Sequence, residues 1–131
     1  MHPISYKTSY WRFKEDYEVL FDGLNPKYMG YTPDSGHIAF GGMDVVEVFK
    51  QSVHLIKHVH FKDASNTQQW KKMGEGDIDF VKCMQVLKDN DYKGWVVVEE
   101  ETPEAQSDTS NVIVDIGKYV DENLRPIVKG E

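Results

Sequence analysis

Only one cysteine, Cys83, stands in the 131 residues, so no internal disulfide framework can form. A lone thiol fits a reducing compartment, and the chain is expected to be cytoplasmic. Nowhere does an apolar run reach the roughly 18 residues of a membrane span. No positively charged start leads into an apolar segment, so no secretory leader is expected either. Basic residues are in deficit, with 15 Lys and Arg against 22 Asp and Glu, a net charge of −7 and a pI near 5.2. Without a basic cluster the chain lacks the electrostatic footprint of a nucleic-acid binder. Repeats, low-complexity tracts and long linkers are absent too, so residues 1–131 are expected to form one domain. The 40% of hydrophobic residues is enough for a packed core.

What is present reads as strands alternating with helices. In "SYWRFKEDYEVLFDGLNP" the residues Tyr10, Phe13, Tyr17, Leu20, Phe21 and Leu24 follow helical spacing, and Asn25-Pro26 stops it. A short strand is expected around Tyr28–Thr32, then a turn-rich loop carrying Asp34 and His37. Asp44 and Glu47 form a D-x-x-E capping box that opens a helix through Val45, Val48 and Phe49. The stretch "IKHVHFKD" predicts a strand from Ile56 to Lys62, with His58, His60 and Lys62 on one face and Val59 and Phe61 on the other. A polar loop runs from Asp63 to Asp77. Asp79 caps a helix with Phe80, Met84 and Leu87 on its apolar stripe. "WVVVEEE" predicts a strand buried on both faces, and the last helix carries Val112, Ile116, Tyr119, Val120 and Leu124 on one side. This alternation implies βαβ units and a parallel sheet.

In parallel α/β folds, ligands bind at the carboxyl ends of the strands. Those ends carry Asp34 with His37, His60 with Lys62, and Glu99. Two carboxylates and an imidazole from three neighbouring strands suit a divalent metal such as Mn, Co, Mg or Zn. Each residue also has a plainer reading. Asp34 can make an Asx-turn in "PDSG"; His60 can be a structural histidine, and Glu99 a solvated strand end beside Glu100 and Glu101. His58 can support His60 or simply pack. Trp95, on the face of Glu99, is expected in a barrel core, and Cys83 is expected to pack.

"YTPDSGHIAFGGMD", "IKHVHFKD" and "MGEGDIDFVKCMQVLKDNDYKGWVVVEEE" resemble the C-terminal half of the xylose isomerase-like superfamily of sugar phosphate isomerases and epimerases. The inosose dehydratase-like branch is the nearest in pattern, through "GDIDF" and "GWVVVEEE". The resemblance implies a (β/α)8 TIM barrel with a divalent metal at its C-terminal mouth, of which this chain would form half. It further implies that Asp34 and His37 match the family's D-x-x-H motif, with Asp34 a metal ligand and His37 in contact with substrate or supporting the site. His60 and Glu99 would be metal ligands, Glu99 would also move a proton, and Lys62 would touch a substrate oxygen. The family's usual fourth ligand, a Glu from strand four, has no counterpart, and "MHP" resembles the tail of strand five. On this reading the chain holds three-quarters of a metal site and half of an acid/base pair.

Three functions follow. The first is metal-dependent isomerisation or epimerisation of a sugar or sugar derivative, with dehydration as the alternative outcome. The second, apurinic-site DNA repair, shares the barrel. It requires further histidines, and none lies between Ala64 and Glu131. The third is a half-barrel that needs a complement, either a second copy of itself or an N-terminal half.

Overall fold

A computed structural model of the chain describes residues 1–4 and 11–130. Four strands are regular: β1 (Val59–Phe61), β2 (Asp63–Ala64), β3 (Trp70–Lys71) and β4 (Val96–Val98). β1 pairs with β4 in parallel, in the register Val59–Val96, His60–Val97 and Phe61–Val98. On the other side of β1, two isolated parallel bridges join Tyr31 to Ile56 and Asp34 to His60. Pro33 lies between those bridges and has no N–H to give, so the ladder there is carried by its carbonyl, which accepts from the His60 amide at 2.9 Å. The N-terminal residues lie along the outer edge of this segment: the Met1 amine donates to Gly30 O (2.7 Å) and the Thr32 amide donates to Met1 O (2.6 Å). Four chain segments thus run side by side in sequence order, and each ends at the same rim.

The helices form where the sequence supplies caps. In α1 (Lys14–Gly23) the Asp16 carboxylate accepts from the Arg12 and Phe13 amides at 2.9 and 2.7 Å. Tyr17 and Phe21 pack against Trp11 and Tyr31, with ring centroids 5.0–6.4 Å apart. Tyr10, expected on the same stripe, lies outside the described residues. The short α2 (Ser35–Phe40) is capped by Asp34, α3 (Val45–Ser52) by Asp44, and α4 (Phe80–Asp89) by Asp79, each accepting from the amide three residues on. Val45, Val48 and Phe49, and then Phe80, Cys83, Met84 and Leu87, are buried as the spacing predicts. A five-residue α5 (Pro103–Ser107) precedes α6 (Thr109–Tyr119). The expected final helix then passes through a π-helical turn, Val120–Leu124, into α7 (Arg125–Lys129). Pro126 explains the break, since it cannot donate to the turn before it. Among the described residues no helix is long and apolar enough to cross a membrane.

Three expectations change. Tyr28 belongs to a turn closed on Asn25 O, and strand pairing begins only at Tyr31. The segment 63–77 is not all loop: β2 and β3 form an antiparallel hairpin, Asp63 opposite Lys71 and Ala64 opposite Trp70. The strand in "WVVVEEE" is not buried on both faces either. Val96 and Val98 pack against the helices, but Trp95 is 78% exposed and Val97 40%, because the inner face of the half-sheet has no cover among the described residues.

Asp63 organises the hairpin and the loop after it. Its carboxylate is almost fully buried and accepts from the amides of Ala64 (2.8 Å), Gly74 (2.8 Å) and Gly76 (2.9 Å). Burial pushes its pKa up, and the backbone amides pull against that shift. Gly76 is required by this approach, because a Cβ there would meet Asp63 Oδ1 at 2.2 Å. D63N turns one acceptor into a donor facing N–H groups and should cost about 1–3 kcal/mol in urea unfolding. Cys83 provides a separate check. Burial drives its thiol up to about 12, so at pH 8 it is protonated as well as inaccessible. Iodoacetamide should leave it unlabelled in the folded chain and label it fully in urea, with mass spectrometry as the readout.

Candidate metal centre

The parallel register brings one side chain from each of the four segment ends to a common point. Asp34 is fully buried and divides its two oxygens. Oδ1 accepts from the His37 amide at 2.9 Å and so caps α2; Oδ2 faces the mouth and has no hydrogen-bond partner. The Asx-type cap read from the sequence is therefore made by one oxygen, and the other is left facing the mouth. His60 Nδ1 stands 4.0 Å from that free oxygen and 3.2 Å from Glu99 Oε2. The fourth group is His2, whose Nε2 lies 3.5 Å from Asp34 Oδ2 and 3.0 Å from His60 Nδ1. One nitrogen or oxygen from each of His2, Asp34, His60 and Glu99 falls within 4.8 Å of all the others.

His2 had no assigned role in the sequence, where "MHP" reads only as a strand tail. Its position follows from the hydrogen bonds of Met1 to Gly30 and Thr32, which set this segment beside the Asp34 segment. The structure thus adds a fourth group, an imidazole rather than a carboxylate, to the three expected from the sequence. A strand-tail histidine at the same rim as D-x-x-H and H-x-H is the signal that could have found it.

The electrostatics fit a cation-binding cluster. Burial alone would raise the Asp34 pKa, but the His2 imidazole 3.5 Å away, the His37 amide and the nearby His37 and Lys62 side chains outweigh it and hold the carboxyl below its usual value. The nearby Asp34 carboxylate raises His2, with burial working against it. His37 is lowered by burial and stays neutral more readily. It lies at the edge of the cluster, its ring 5.9 Å from that of His2 and 5.3 Å from Trp70. His58 sits behind His60, ring centroids 5.1 Å apart, and contributes no atom to the cluster.

Lys62 is 2% exposed, a rare state for a lysine. Its ammonium lies 2.9 Å from Glu101 Oε2 and 3.9 Å from Glu99 Oε1. The contact with Glu101 is an ion pair whose angles fall short of a hydrogen bond, which leaves the ammonium's donors available. The end of β1 is fixed by Ser35, whose hydroxyl exchanges two 2.8 Å hydrogen bonds with the Lys62 backbone.

A tetrahedral shell with bonds of about 2.0–2.2 Å needs ligand atoms roughly 3.3–3.6 Å apart. Four of the six separations, 3.0, 3.2, 3.5 and 4.0 Å, bracket that spacing, and all six lie within 4.8 Å. Two imidazoles and two carboxylates suit Zn, Co or Mn, and a buried carboxylate oxygen without a donor is the kind of atom a cation would satisfy.

A half-barrel of parallel strands with such a cluster at its carboxyl rim defines the class. The model of the xylose isomerase-like TIM barrel matches residues 2–119, and the chain belongs to that family. The inosose dehydratase of Clostridium tetani is 30% identical, aligned over 82% of this chain and 42% of its own length. That of Clostridium perfringens is 31% identical with the same coverage. Among solved structures, an L-ribulose 3-epimerase superposes with a TM-score of 0.71 at 13% identity, covering 99% of this chain and 48% of its own. A D-tagatose 3-epimerase-like protein gives 0.62 at 20% identity, over 92% and 47%. The chain spans a little under half the length of these relatives.

Proposed function

We propose that the chain carries the metal-binding half of a proton-transfer site that removes water from an uncharged polyhydroxy ketone. The observation that carries this reading is the convergence of His2, Asp34, His60 and Glu99 with a buried lysine beside Glu99. A divalent ion held by those four groups would polarise a substrate carbonyl or hydroxyl and acidify the neighbouring C–H. Glu99 is the base that takes the proton, and the C–H electrons form the new double bond. The C–O bond at the next carbon then breaks, and its hydroxyl leaves as water with a proton from Lys62. Transfer of the Glu99 proton to Lys62 across the 3.9 Å gap restores both groups. His37, held neutral by burial, donates to a substrate oxygen.

Dehydration is favoured over isomerisation or epimerisation by the fourth corner. Returning a proton to the opposite face of a carbon calls for a second acid/base group, and a histidine stands where a second carboxylate would serve. The inosose dehydratase relatives support this choice. Phosphate is disfavoured, since Glu99, Glu100, Glu101 and Glu104 follow one another after β4 and Lys62 is already paired.

Eight strands close such a barrel, and the open face around Trp95 and Val97 requires a further wall, from a second copy or an N-terminal half. Light scattering on a gel-filtration peak, with elemental analysis of the same fraction, tests the centre. One divalent ion per chain is expected. H2A, D34A and H60A should each weaken cobalt binding by more than the roughly 10–100-fold lost with an outer-shell partner. Wild-type affinity in H2A would remove His2 from the site. Turnover of an inosose to a dehydrated product supports the reaction; an epimer as product would replace it with the isomerase reading.

A further inference from the structure

Lys62 has four rotatable bonds, and nothing in its own strand dictates where the ammonium ends. The hairpin that follows it does. β3 folds back on β2 and delivers Trp70 to the same rim, with the Lys62 Nζ 4.3 Å from the centroid of the indole. The indole is itself fixed: Phe40 stacks on it at 4.0 Å and 12°, and the His37 ring meets it at 90°. A separate feature of the backbone accommodates this arrangement. A Cβ at Gly36 would lie 2.6 Å from Trp70 Cζ3 and 3.2 Å from Lys62 Cγ, so the glycine inside "DSGH" leaves the room in which lysine and indole meet.

We propose that Trp70 is a positioning residue that, with Glu101, holds the Lys62 ammonium beside Glu99, and that Gly36 is the space this requires. The proposal rests on the proton-transfer reading of the site for its purpose, but its geometry can be tested alone. A desolvated ammonium over an indole face is attracted to it. Glu101, 2.9 Å from the ammonium against 3.9 Å for Glu99, is the second group that holds it.

The test uses the full chain, isotopically labelled, with and without cobalt(II), and follows the Lys62 side-chain resonances by NMR. In the wild type the indole should displace the Lys62 methylene protons upfield, and bound cobalt should add a paramagnetic shift. W70L should abolish the first and change the second while cobalt uptake stays at wild-type level; W70F should retain most of both. G36A, with the indole present, should reproduce the W70L result. If W70L lowers only the melting temperature and leaves both Lys62 shifts in place, Trp70 is merely packing and the proposal is overturned. A wild type that takes up no cobalt refutes the metal centre, and the upfield displacement then decides the positioning role by itself.

Discussion

The arrangement depends on one carboxylate, Asp34. Its Oδ1 terminates α2 through the His37 amide, and this fixes the turn from which His37 and Gly36 project. Its Oδ2 is left buried without a hydrogen bond, 3.5 Å from the His2 imidazole. The aspartate is joined to its neighbours by backbone as well: the bridge to His60 makes the two residues adjacent by register rather than by side-chain reach. A single residue thus ties a helix start, a strand pair and the mouth chemistry together. Movement of any one of them would disturb the other two.

From that point the half-barrel geometry explains why four segments can bring the His2, Asp34, His60 and Glu99 cluster together. Parallel neighbours in sequence order present their carboxyl ends along one rim, so a small cluster can be built from consecutive strands. The rest of a substrate's surroundings belongs to the opposite wall. The inner face of β4 shows the consequence. Val97 shares the parity of Glu99 and is 40% exposed, and Trp95, two residues further back, is 78% exposed. These are core positions of a closed barrel without the remainder of that core.

What could be read from the sequence divides along the same line. Features set within a few residues were legible: the caps at Asp44 and Asp79, the apolar stripe of Phe80, Met84 and Leu87, and the strand parity that sends His60 and Glu99 to one face. The order of the ligands was legible because the parallel alternation fixes which ends are neighbours. His2 was not, since its place depends on two backbone hydrogen bonds to residues about thirty positions away. The hairpin of β2 and β3 was missed for a related reason. Its strands are two residues each, too short for an alternation pattern, and they are held by Asp63 reaching eleven and thirteen residues along the chain. Trp70 therefore read as a residue of a polar loop, although it ends against Lys62.

The imidazole at the fourth corner has a consequence for the chemistry. Two neutral imidazoles and two carboxylates around a divalent ion sum to zero, whereas a third carboxylate would leave the cluster negative. A neutral cluster keeps more of the ion's electron-withdrawing power for a substrate oxygen, and that power is what acidifies a C–H bond. On the proposed reading, an imidazole at that corner would leave Glu99 as the one carboxylate base beside a substrate. The neighbouring Lys62–Glu101 pair is also neutral as a unit, so it adds a proton donor without adding net charge to the mouth. With a divalent ion bound, Glu99 as base and Lys62 as acid would, on the proposed reading, make a set suited to removing a proton and a hydroxyl from adjacent carbons. The set is poorly suited to handing a proton across the plane of a sugar.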